Sequence, residues 1–287
     1  MKDEIYILSK ANFPPLLSEI TDPPKTLYYR GTLPNWNSYK FLTVVGSRKY
    51  SEYGKMACQK LIAGLRDYPI VIISGLAIGI DAIAHEAALE NGLSTIAIPG
   101  SGVKDDVLYP RYNSLLAKKI IKAGGLVMSE FEPDTKAALY TFPKRNRIMA
   151  GLSHAILLVE AEEKSGTLIT GRLAMEYNRD VLAVPGSIFS PSSRGTNRFL
   201  QDGARIITKS EDILHILGFE KNEEQIELPN DLSIDEKLIL ETLIDGTTKD
   251  DLCASFEKDT GDILMVLSLL EMKGLIKEEL GKLRKLV

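Results

Sequence analysis

The chain has 287 residues, of which 44% are hydrophobic and 26% are charged, a balance typical of a folded globular protein. No apolar run approaches the roughly 20 residues needed to cross a bilayer, and the first ten residues lack a signal-peptide core, so we expect a cytoplasmic protein without membrane contact. Two distant cysteines and three unclustered histidines argue against a disulfide framework and a zinc site, and we expect no cofactor and no metal.

The net charge of −4 is distributed unevenly along the chain. Residues 1–208 carry 25 basic and 20 acidic side chains, whereas residues 209–230 have a net charge of −4 and residues 231–287 a net charge of −5. The mildly basic main portion therefore permits a polyanionic partner but does not require one.

From residue 41, short apolar runs alternate with stretches of helical length, which predicts an α/β fold with a doubly wound, mostly parallel sheet. The predicted strands are Phe41–Val45, Ile70–Ile73, Thr95–Ile98, Leu126–Met128, Ile156–Val159, Val181–Val184 and Arg205–Thr208. The predicted helices include Glu52–Arg66, Ile80–Asn91, Tyr112–Ala123 and Leu168–Tyr177. Glycine, serine or proline follows most of the strands, and such folds bind ligands in the loops at the carboxyl ends of their strands.

We divide the chain into four parts by composition and periodicity. They are a short N-terminal segment (1–40), a main domain (41–219), a polar linker (220–232) and a small C-terminal domain (233–287). Three predicted helices of the last part, the third capped by Thr260, precede a hairpin, which is typical of a winged helix. Its third helix, 261–273, has a single cation, which favours a protein partner, or packing against the basic domain, over DNA in a major groove.

The loop after the first predicted main-domain strand contains Gly46, Ser47, Arg48 and Lys49. A glycine lets the backbone approach a ligand closely, the hydroxyl and N–H groups can bind an anion, and Arg48 adds a charge-assisted contact. The alternative interpretation is a plain turn between strand and helix, with a solvated arginine.

The loop after the second strand contains Gly75 and Gly79, spaced as in a turn that binds phosphate. It does not match GxGxxG, and no GxxxxGK[ST] motif occurs in the chain, so the sequence does not support ATP hydrolysis through a P-loop. Asp81 and His85 lie one helical turn apart and could be a hydrolase base and its orienting group. We favour a structural role for both, with the acid at a helix N-terminus.

The segment 142–147 concentrates cations beside an aromatic ring, ahead of a short helix. It contains Phe142, Lys144, Arg145, Asn146 and Arg147. Three cations in four residues repel one another unless an anion or an acid compensates them, and Phe142 and the nearby Tyr140 could stack on bases. This pattern suits single-stranded nucleic acid. The alternative places Phe142 in the core and gives the arginines structural roles.

Carboxylates follow the fourth and fifth predicted strands. They are Glu130, Glu132, Asp134, Glu160, Glu162 and Glu163. Such groups can perform general acid–base chemistry or bind a metal. We favour the interpretation that they form salt bridges with Arg145 and Arg147.

The loop 164–167 opens the helix after the fifth predicted strand. Lys164, Ser165, Gly166 and Thr167 combine a cation with small residues whose N–H groups can approach an oxyanion. Together with segment 142–147, the loop predicts a phosphate-binding surface at the carboxyl edge of the sheet.

These segments resemble the DprA/Smf family of DNA-processing proteins. The resemblance is carried by VGSRKYSEYG (45–54), SGLAIGIDAIAHEAAL (74–89), GSGVKDDVLYPRYN (100–113), SEFEP (129–133), FPKRNRIMAGLSHAILLVEAEEKSGTLIT (142–170), VPGS (184–187) and RGTNRFLQDGA (194–204). It extends over about residues 22–208 in unbroken order.

The resemblance implies an extended Rossmann-like domain that binds single-stranded DNA, protects incoming DNA and loads the RecA recombinase during natural transformation. It also implies a homodimer, a C-terminal winged helix and no enzymatic turnover. The predicted DNA- and phosphate-binding residues are Gly46, Ser47, Arg48, Lys49, Gly75, Gly79, Phe142, Lys144, Arg145, Asn146, Lys164, Ser165, Gly166 and Thr167. No catalytic residue is expected.

Two other functions are compatible with parts of the sequence. The loop 163–167 also resembles that of Rossmann-like nucleoside-monophosphate phosphoribohydrolases, which typically carry PGGxGT and a catalytic acid after it. Here the loop reads Glu-Lys-Ser-Gly-Thr and position 170 is threonine, which favours binding over turnover. Transcriptional regulation through the C-terminal domain is disfavoured by the acidity of that domain.

Overall fold

The computed structural model describes residues 4–219, 232–244, 246–256, 259–279 and 281–285. These residues form two compact units, which divide after residue 220. The predicted linker 220–232 lies outside the described residues, except for Leu232.

The strands of the first unit join one sheet, and two further strands form a hairpin in the second unit. The strands are β1 (Tyr6–Ser9), β2 (Thr26–Gly31), β3 (Lys40–Val45), β4 (Ile70–Ser74), β5 (Ser94–Ala97), β6 (Leu126–Ser129), β7 (Ala155–Leu158), β8 (Asp180–Ala183), β9 (Arg205–Ile206), β10 (Ile276–Glu279) and β11 (Lys282–Lys285). The predicted main-domain strands match β3 to β9 within two residues at each end.

Helices connect most of the strands. They are α1 (Pro15–Ser18), α2 (Glu52–Ala63), α3 (Ile80–Glu90), α4 (Ser114–Lys122), α5 (Thr141–Leu152), α6 (Thr167–Glu176), α7 (Arg194–Gln201), α8 (Ser210–Ile216), α9 (Ile234–Thr242), α10 (Lys249–Ala254) and α11 (Thr260–Met272). In the part of the chain that is described, none of them has the length and apolar character to span a bilayer.

The sheet confirms the predicted fold class. Its strand order is β1-β2-β6-β5-β4-β3-β7-β8-β9, and the seven strands from β6 to β9 in this order run parallel. The chain builds outward from β3 through β4, β5 and β6, then returns through α5 to place β7 on the other side of β3. The order therefore reverses between β3 and β7, and a crevice forms at such a switch point.

The N-terminal segment contributes two strands that the sequence did not predict. β2 pairs antiparallel with β6, and β1 pairs antiparallel with β2, so both extend the sheet of the main domain. The signal in β2 is its content of Thr26 and two tyrosines, residue types enriched in strands. Residues 1–40 lie partly in the same sheet as residues 41–219.

Alternate side chains of the central strands fill two apolar clusters on opposite faces of the sheet. In β3, Phe41 and Val45 pack in the cluster that contains residues of α5 and α6, whereas Leu42 and Val44 pack in the cluster that contains residues of α2 and α3. Because both faces are covered, the strands are apolar at almost every position. The two layers fix the carboxyl ends of β3 and β7 side by side.

The second unit contains α9, α10, α11 and the β10–β11 hairpin around its own apolar cluster. The elements follow the predicted order, while the assignment to the winged-helix class stays a prediction. The predicted N-cap Thr260 is wrong by one residue, because the carboxylate of Asp259 accepts the backbone N–H of Gly261 at 3.0 Å. Aspartate caps a helix as readily as serine or threonine does.

His85 is held in its neutral form inside the first unit. Its Nδ1 lies 2.7 Å from the hydroxyl oxygen of Thr95, and that hydroxyl donates to the carbonyl of Ile72. Nδ1 must therefore carry the proton and donate it to Thr95. Burial, with a smaller contribution from the charge of Arg145, lowers the pKa of His85 to about 3.

We expect His85 to make the stability of the protein depend on pH. The unfolded chain binds a proton at His85 below about pH 6.5, whereas the native state does not until the pH approaches about 3, so acidification lowers the free energy of unfolding. Replacement by glutamine (His85→Gln) makes this fall shallower by about 1.4 kcal/mol per pH unit between about pH 6 and pH 5. Urea unfolding at several pH values measures both slopes, and parallel curves for wild type and variant would contradict the account.

Candidate functional site

A cleft of about 410 Å³ opens at the carboxyl edge of the sheet, where β3 and β7 lie side by side. Four segments line it: the loop after β3, Ala77 and Asp81 around the start of α3, helix α5 as far as Met149, and the loop from β7 into α6. Ten of the predicted site residues line this cleft: Gly46, Ser47, Arg48, Lys49, Phe142, Arg145, Asn146, Ser165, Gly166 and Thr167. Gly75, Gly79, Lys144 and Lys164 are not part of its lining.

The loop after β3 presents backbone amides and two exposed cations. The hydroxyl of Ser47 donates to the carbonyl of Lys49 at 2.7 Å and accepts the Lys49 N–H at 3.0 Å, so it closes the turn. No acceptor for the N–H groups of Ser47 and Arg48 exists among the described residues. The loop therefore offers an anion its amides and the side chains of Arg48 and Lys49, whereas the hydroxyl is engaged within the turn.

Glycines let α3 begin directly against this loop. Gly79 has a φ of +86°, and a Cβ there would lie 2.3 Å from the carbonyl oxygen of Ser47. A Cβ on Gly46 would lie 2.7 Å from the Ile80 side chain, and the N–H of Ile80 donates to the same Ser47 carbonyl. The two glycines shape the loop through close packing, which only a residue without a side chain allows.

The prediction that residues 142–147 precede a helix as a loop is wrong, because these residues lie within α5. Helix α5 begins at Thr141, one residue before Phe142. Pro143 is compatible with this start, since the N–H groups of the first helical turn have no partner within the helix. The first turn carries no acidic residue, so cations and the positive end of the helix dipole reinforce one another at the cleft.

Arg145 is buried within α5, and its guanidinium reaches the floor of the cleft. The Nη1 group donates to the carbonyl of Ile98 at 2.8 Å, while Nε has no hydrogen-bond partner among the described residues. Burial lowers the pKa of Arg145 to about 10, and the charge of Asp81 opposes this shift. Arg145 therefore keeps its positive charge at neutral pH.

Asp81 and Gly75 complete the surroundings of this guanidinium. The carboxylate of Asp81 accepts the N–H of Gly75 at 3.1 Å, so that amide is not free for a phosphate. A Cβ on Gly75 would lie 1.5 Å from Nη1 of Arg145 and 2.5 Å from Oδ2 of Asp81. Burial raises the pKa of Asp81, and Arg145 opposes that shift. Because His85 bonds Thr95, no Asp81–His85 dyad forms, as our interpretation of the sequence favoured.

Arg147 has a structural role. It forms a salt bridge with Glu130 and a further ion pair with Asp22 at 3.4 Å. The expected pairing of the carboxylates with the arginines is thus confirmed for Glu130 and Arg147. It is wrong for Arg145, whose acidic neighbour is Asp81.

Three of the other predicted carboxylates have separate partners, while Glu162 and Glu163 are exposed and Glu162 lines the cleft. Glu132 accepts from the hydroxyl of Tyr28, Asp134 pairs with Lys104, and Glu160 accepts from Ser51. Across the described ranges, no group of three or more histidine, cysteine, aspartate or glutamate side chains is arranged to hold a metal ion.

An aromatic ring stands at one wall of the cleft. The ring of Phe142 is half-buried, with the guanidinium of Arg48 5.4 Å from its centroid and the ring of Tyr109 5.8 Å away. A Cβ on Gly100 would lie 2.5 Å from the Phe142 ring, so the ring packs directly on the backbone there. Outside the lining, the ammonium of Lys144 lies 5.7 Å from the centroid of the exposed Tyr140 ring.

Tyr109 is a site residue that the sequence analysis did not identify. With Ile78 and Pro110 it forms a small recess beside Phe142 and Arg48. Its side chain is 47% exposed, so an aromatic surface faces solvent next to the cations. An aromatic residue in the loop that follows β5 was the available signal, since that loop lies at the same edge of the sheet.

The loop after β7 closes the opposite wall. Thr167 donates through its hydroxyl to the carbonyl of Gly46 at 3.0 Å, which ties this loop to the one after β3. Gly166 and Lys164 are exposed, and no described residue accepts the N–H of Gly166. Thr170 is buried and lines the cleft. The wall offers the amide of Gly166, with the cation of Lys164 beside the lining and a hydroxyl at the position where the hydrolases carry an acid.

Comparisons with known proteins agree on one family. The sequence pattern described as DNA recombination-mediator protein A matches residues 4–218. DNA processing protein DprA of Streptococcus pneumoniae is 45% identical over 198 residues, 69% of this chain and 68% of the relative. Protein Smf of Escherichia coli is 42% identical over 208 residues, 72% of this chain but only 54% of the relative. The match thus spans about half the length of the Escherichia coli protein.

Solved structures show the same fold. The crystal structure of DNA processing protein A from Streptococcus pneumoniae matches with a TM-score of 0.69 and 42% identity, over 74% of each chain. DNA processing protein A from Helicobacter pylori, whose structure concerns its single-stranded DNA binding mode, matches with a TM-score of 0.67 and 30% identity. That match covers 75% of this chain and 96% of the Helicobacter pylori chain.

A methyl group on Gly75 tests the packing around Arg145. We expect Gly75→Ala to lower the free energy of unfolding by about 2 kcal/mol, because the new Cβ displaces a buried guanidinium from its bond to the carbonyl of Ile98 and from its place beside Asp81. The matched control is Gly166→Ala, where the backbone is helical and a Cβ meets no atom within 4 Å, so stability stays unchanged. Urea unfolding measures both, and a Gly75→Ala protein as stable as the wild type would contradict this packing.

Proposed function

We propose that this chain, which belongs to the DNA recombination-mediator protein A family, binds single-stranded DNA in the cleft between β3 and β7. The observation that carries the proposal is the convergence of Arg48, Arg145 and the Phe142 ring at the switch point of the sheet. Cations alone would fit any anion, but a cation beside an exposed aromatic surface fits a strand whose bases are not paired.

Backbone phosphates account for the polar features of the cleft. The N-termini of α5 and α6 point to the same opening, and the amides of Ser47, Arg48 and Gly166 are without acceptors among the described residues. Oriented amides and helix N-termini bind phosphate groups in proteins without an enclosed pocket. Lys49, Lys144 and Lys164 are exposed at the loops and helix that form the walls, where they can follow the strand into solvent.

Bases account for the aromatic features. Phe142 and Tyr109 form a surface beside the cations, with the small recess at Ile78 and Pro110 next to it. A paired base has its edges and faces covered by its partner and by neighbours, whereas an unpaired base can lie against a ring. The relation to the Helicobacter pylori protein supports the same ligand.

The proposed activity is binding without turnover. Thr170 cannot replace the acid of a nucleotide hydrolase, and the carboxylate of Asp81 is held by the N–H of Gly75 beside Arg145. An acid that is paired with a buried cation is poorly placed to accept a proton from a substrate. The cleft is therefore proposed to hold DNA rather than to cleave a nucleotide.

The second unit is proposed to be a winged-helix domain that contacts protein. The exposed side of α11 carries Met265 and Met272, which are 65% and 85% exposed, in place of the cations that a DNA-reading helix needs. Residues 231–287 have a net charge of −5, which further disfavours binding to the phosphate backbone of DNA.

Removal of single exposed cations tests DNA binding directly. We expect Arg48→Ala and Lys144→Ala each to weaken binding of an oligo-dT strand about tenfold, since each loses a charge-assisted contact. Each also lowers the slope of log affinity against log salt by about 0.7, the value for one phosphate contact on a single strand. Fluorescence anisotropy at several salt concentrations measures both quantities.

Matched controls are Arg66→Ala and Lys60→Ala, which remove exposed cations near the start of β4 and at the end of α2, away from the cleft. The melting temperature of all four variants is expected to stay near that of the wild type, because the side chains are exposed. Equal DNA affinity of Arg48→Ala, Lys144→Ala and the two controls would contradict the proposed site.

Recombinase loading and self-association belong to the same proposal. Because the chain belongs to a recombination-mediator family, we expect it to form a homodimer and to accelerate the assembly of RecA on single-stranded DNA. Sedimentation equilibrium measures the first property. Assembly kinetics of RecA measure the second, and no acceleration by a chain that binds DNA normally would contradict the loading role alone.

A further inference from the structure

The turn after β8 exposes two apolar side chains at the carboxyl edge of the sheet. Residues 187–190 form the turn, and at its tip Ile188 is 77% exposed and Phe189 is 88% exposed. Solvent exposure of a whole phenyl ring is unfavourable by about 2 kcal/mol relative to burial. The turn lies outside the cleft described above, and the proposed site does not use it.

The structure holds this turn in place through polar contacts. Gly186 donates its N–H to the amide oxygen of Asn197 at 3.2 Å and accepts from the amide nitrogen of the same side chain at 3.0 Å. The N–H of Ser190 donates to the carbonyl of Ser187 at 3.0 Å, and the N–H of Phe189 donates to the Ser187 hydroxyl at 3.2 Å. The backbone of the turn is thus fixed while its two side chains are left exposed.

The turn adjoins the cleft through one buried carboxylate. Glu160 accepts from the hydroxyl of Ser51 at 2.6 Å, directly after the loop of Arg48 and Lys49, and from the hydroxyl of Ser192 at 2.9 Å. A second link joins the hydroxyl of Tyr53 to the carbonyl of Pro185 at 2.6 Å. The exposed turn is therefore continuous with the wall of the cleft that the loop after β3 forms.

The surface between cleft and turn has the composition of a single-strand path. Tyr50 and Tyr53, which are 42% and 51% exposed, follow Lys49 in the chain, and the Tyr53 hydroxyl bonds the carbonyl of Pro185, four residues before Phe189. Arg194 is exposed at the start of α7. Aromatic rings interleaved with cations bind bases by stacking and phosphates by charge. A purely aliphatic patch would instead favour a protein partner.

We propose that Phe189 is a second stacking platform for the same strand, which leaves the cleft over the loop after β3 and places a base on this ring. Tyr50 and Tyr53 line the path between the two positions. The inference rests on the proposed function, because it extends the strand that the cleft binds. It predicts a footprint longer than the cleft alone requires.

A length series of oligo-dT separates the cleft from the extension. We expect the affinity of the wild type to rise with strand length beyond the shortest strand that binds. Phe189→Ala is expected to bind the longer strands about tenfold more weakly than the wild type, which is the scale of one base–aromatic stack. For the shortest strand, variant and wild type bind equally. Phe189→Trp keeps the gain, whereas Phe189→Leu loses it, because leucine preserves apolar area but offers no π face.

The matched control is Ile7→Ala, which removes a 64% exposed apolar side chain from β1 at the opposite edge of the sheet and leaves every affinity unchanged. A 5-iodouracil strand should also crosslink under ultraviolet light to the peptide that contains Phe189.

The possible outcomes are distinct. Normal binding of short and long strands by Phe189→Ala would overturn the extension and leave the cleft proposal intact. Retention of the length gain by Phe189→Leu would show that general apolar contact suffices and would overturn the stacking platform as well. If the wild type binds no strand at all, both the proposed function and the extension fail.

Discussion

A buried guanidinium connects the parts of the fold on which the cleft depends. Arg145 comes from α5, donates to the carbonyl at the end of β5, and lies over Gly75 at the end of β4 and beside Asp81 at the start of α3. A buried cation without compensation is strongly unfavourable, so these neighbours are needed together. The acid supplies the opposite charge, and the missing Cβ supplies the space. Arg145 also lines the cleft, where a bound phosphate would add further compensation for its charge.

Local arrangement decides the electrostatics of this protein more than net charge does. The chain is acidic overall, yet residues 1–208 have a net charge of +5, and several of those cations surround one opening. At an ionic strength of about 0.1 M, charges are screened over about 10 Å, so an anion at the cleft responds mainly to the charges that line it. These are three cations, Arg48, Lys49 and Arg145, and two acids, Asp81 and Glu162. Three helices that begin at this edge, α3, α5 and α6, add their positive ends to the same field.

The sequence predicted the fold class and the strands β3 to β9, because buried parallel strands are continuous apolar runs that are easy to recognise. It also predicted which loops meet, since the carboxyl ends of parallel strands share one edge. It did not predict β1 and β2, because these strands at one side of the sheet are short and lack a continuous apolar run. It placed Phe142 to Arg147 ahead of a helix, because crowded cations and a proline suggested a loop, whereas first-turn positions tolerate both.

Side-chain roles within the site were the least predictable part. The sequence treated Gly75 as an amide donor for phosphate, but its N–H binds Asp81 and its lack of a Cβ makes room for Arg145. It treated Ser47 as an anion ligand, but the hydroxyl closes its own turn. Such outcomes depend on three-dimensional neighbours that are distant in sequence. Tyr109 and Phe189 were missed for the same reason, because an aromatic residue in a loop acquires meaning only beside the cleft.

The central claim is that the cleft binds a single DNA strand in preference to a duplex, and a competition titration tests it most directly. Labelled oligo-dT bound to the wild-type chain is displaced by unlabelled single strand or by duplex of equal length, at a low and a higher salt concentration, and followed by fluorescence anisotropy. The account predicts that the single strand competes far better at both salt concentrations, because the aromatic contacts are not screened, while both affinities fall with salt. Equal competition by the duplex would contradict it, since backbone charge alone would then explain the binding.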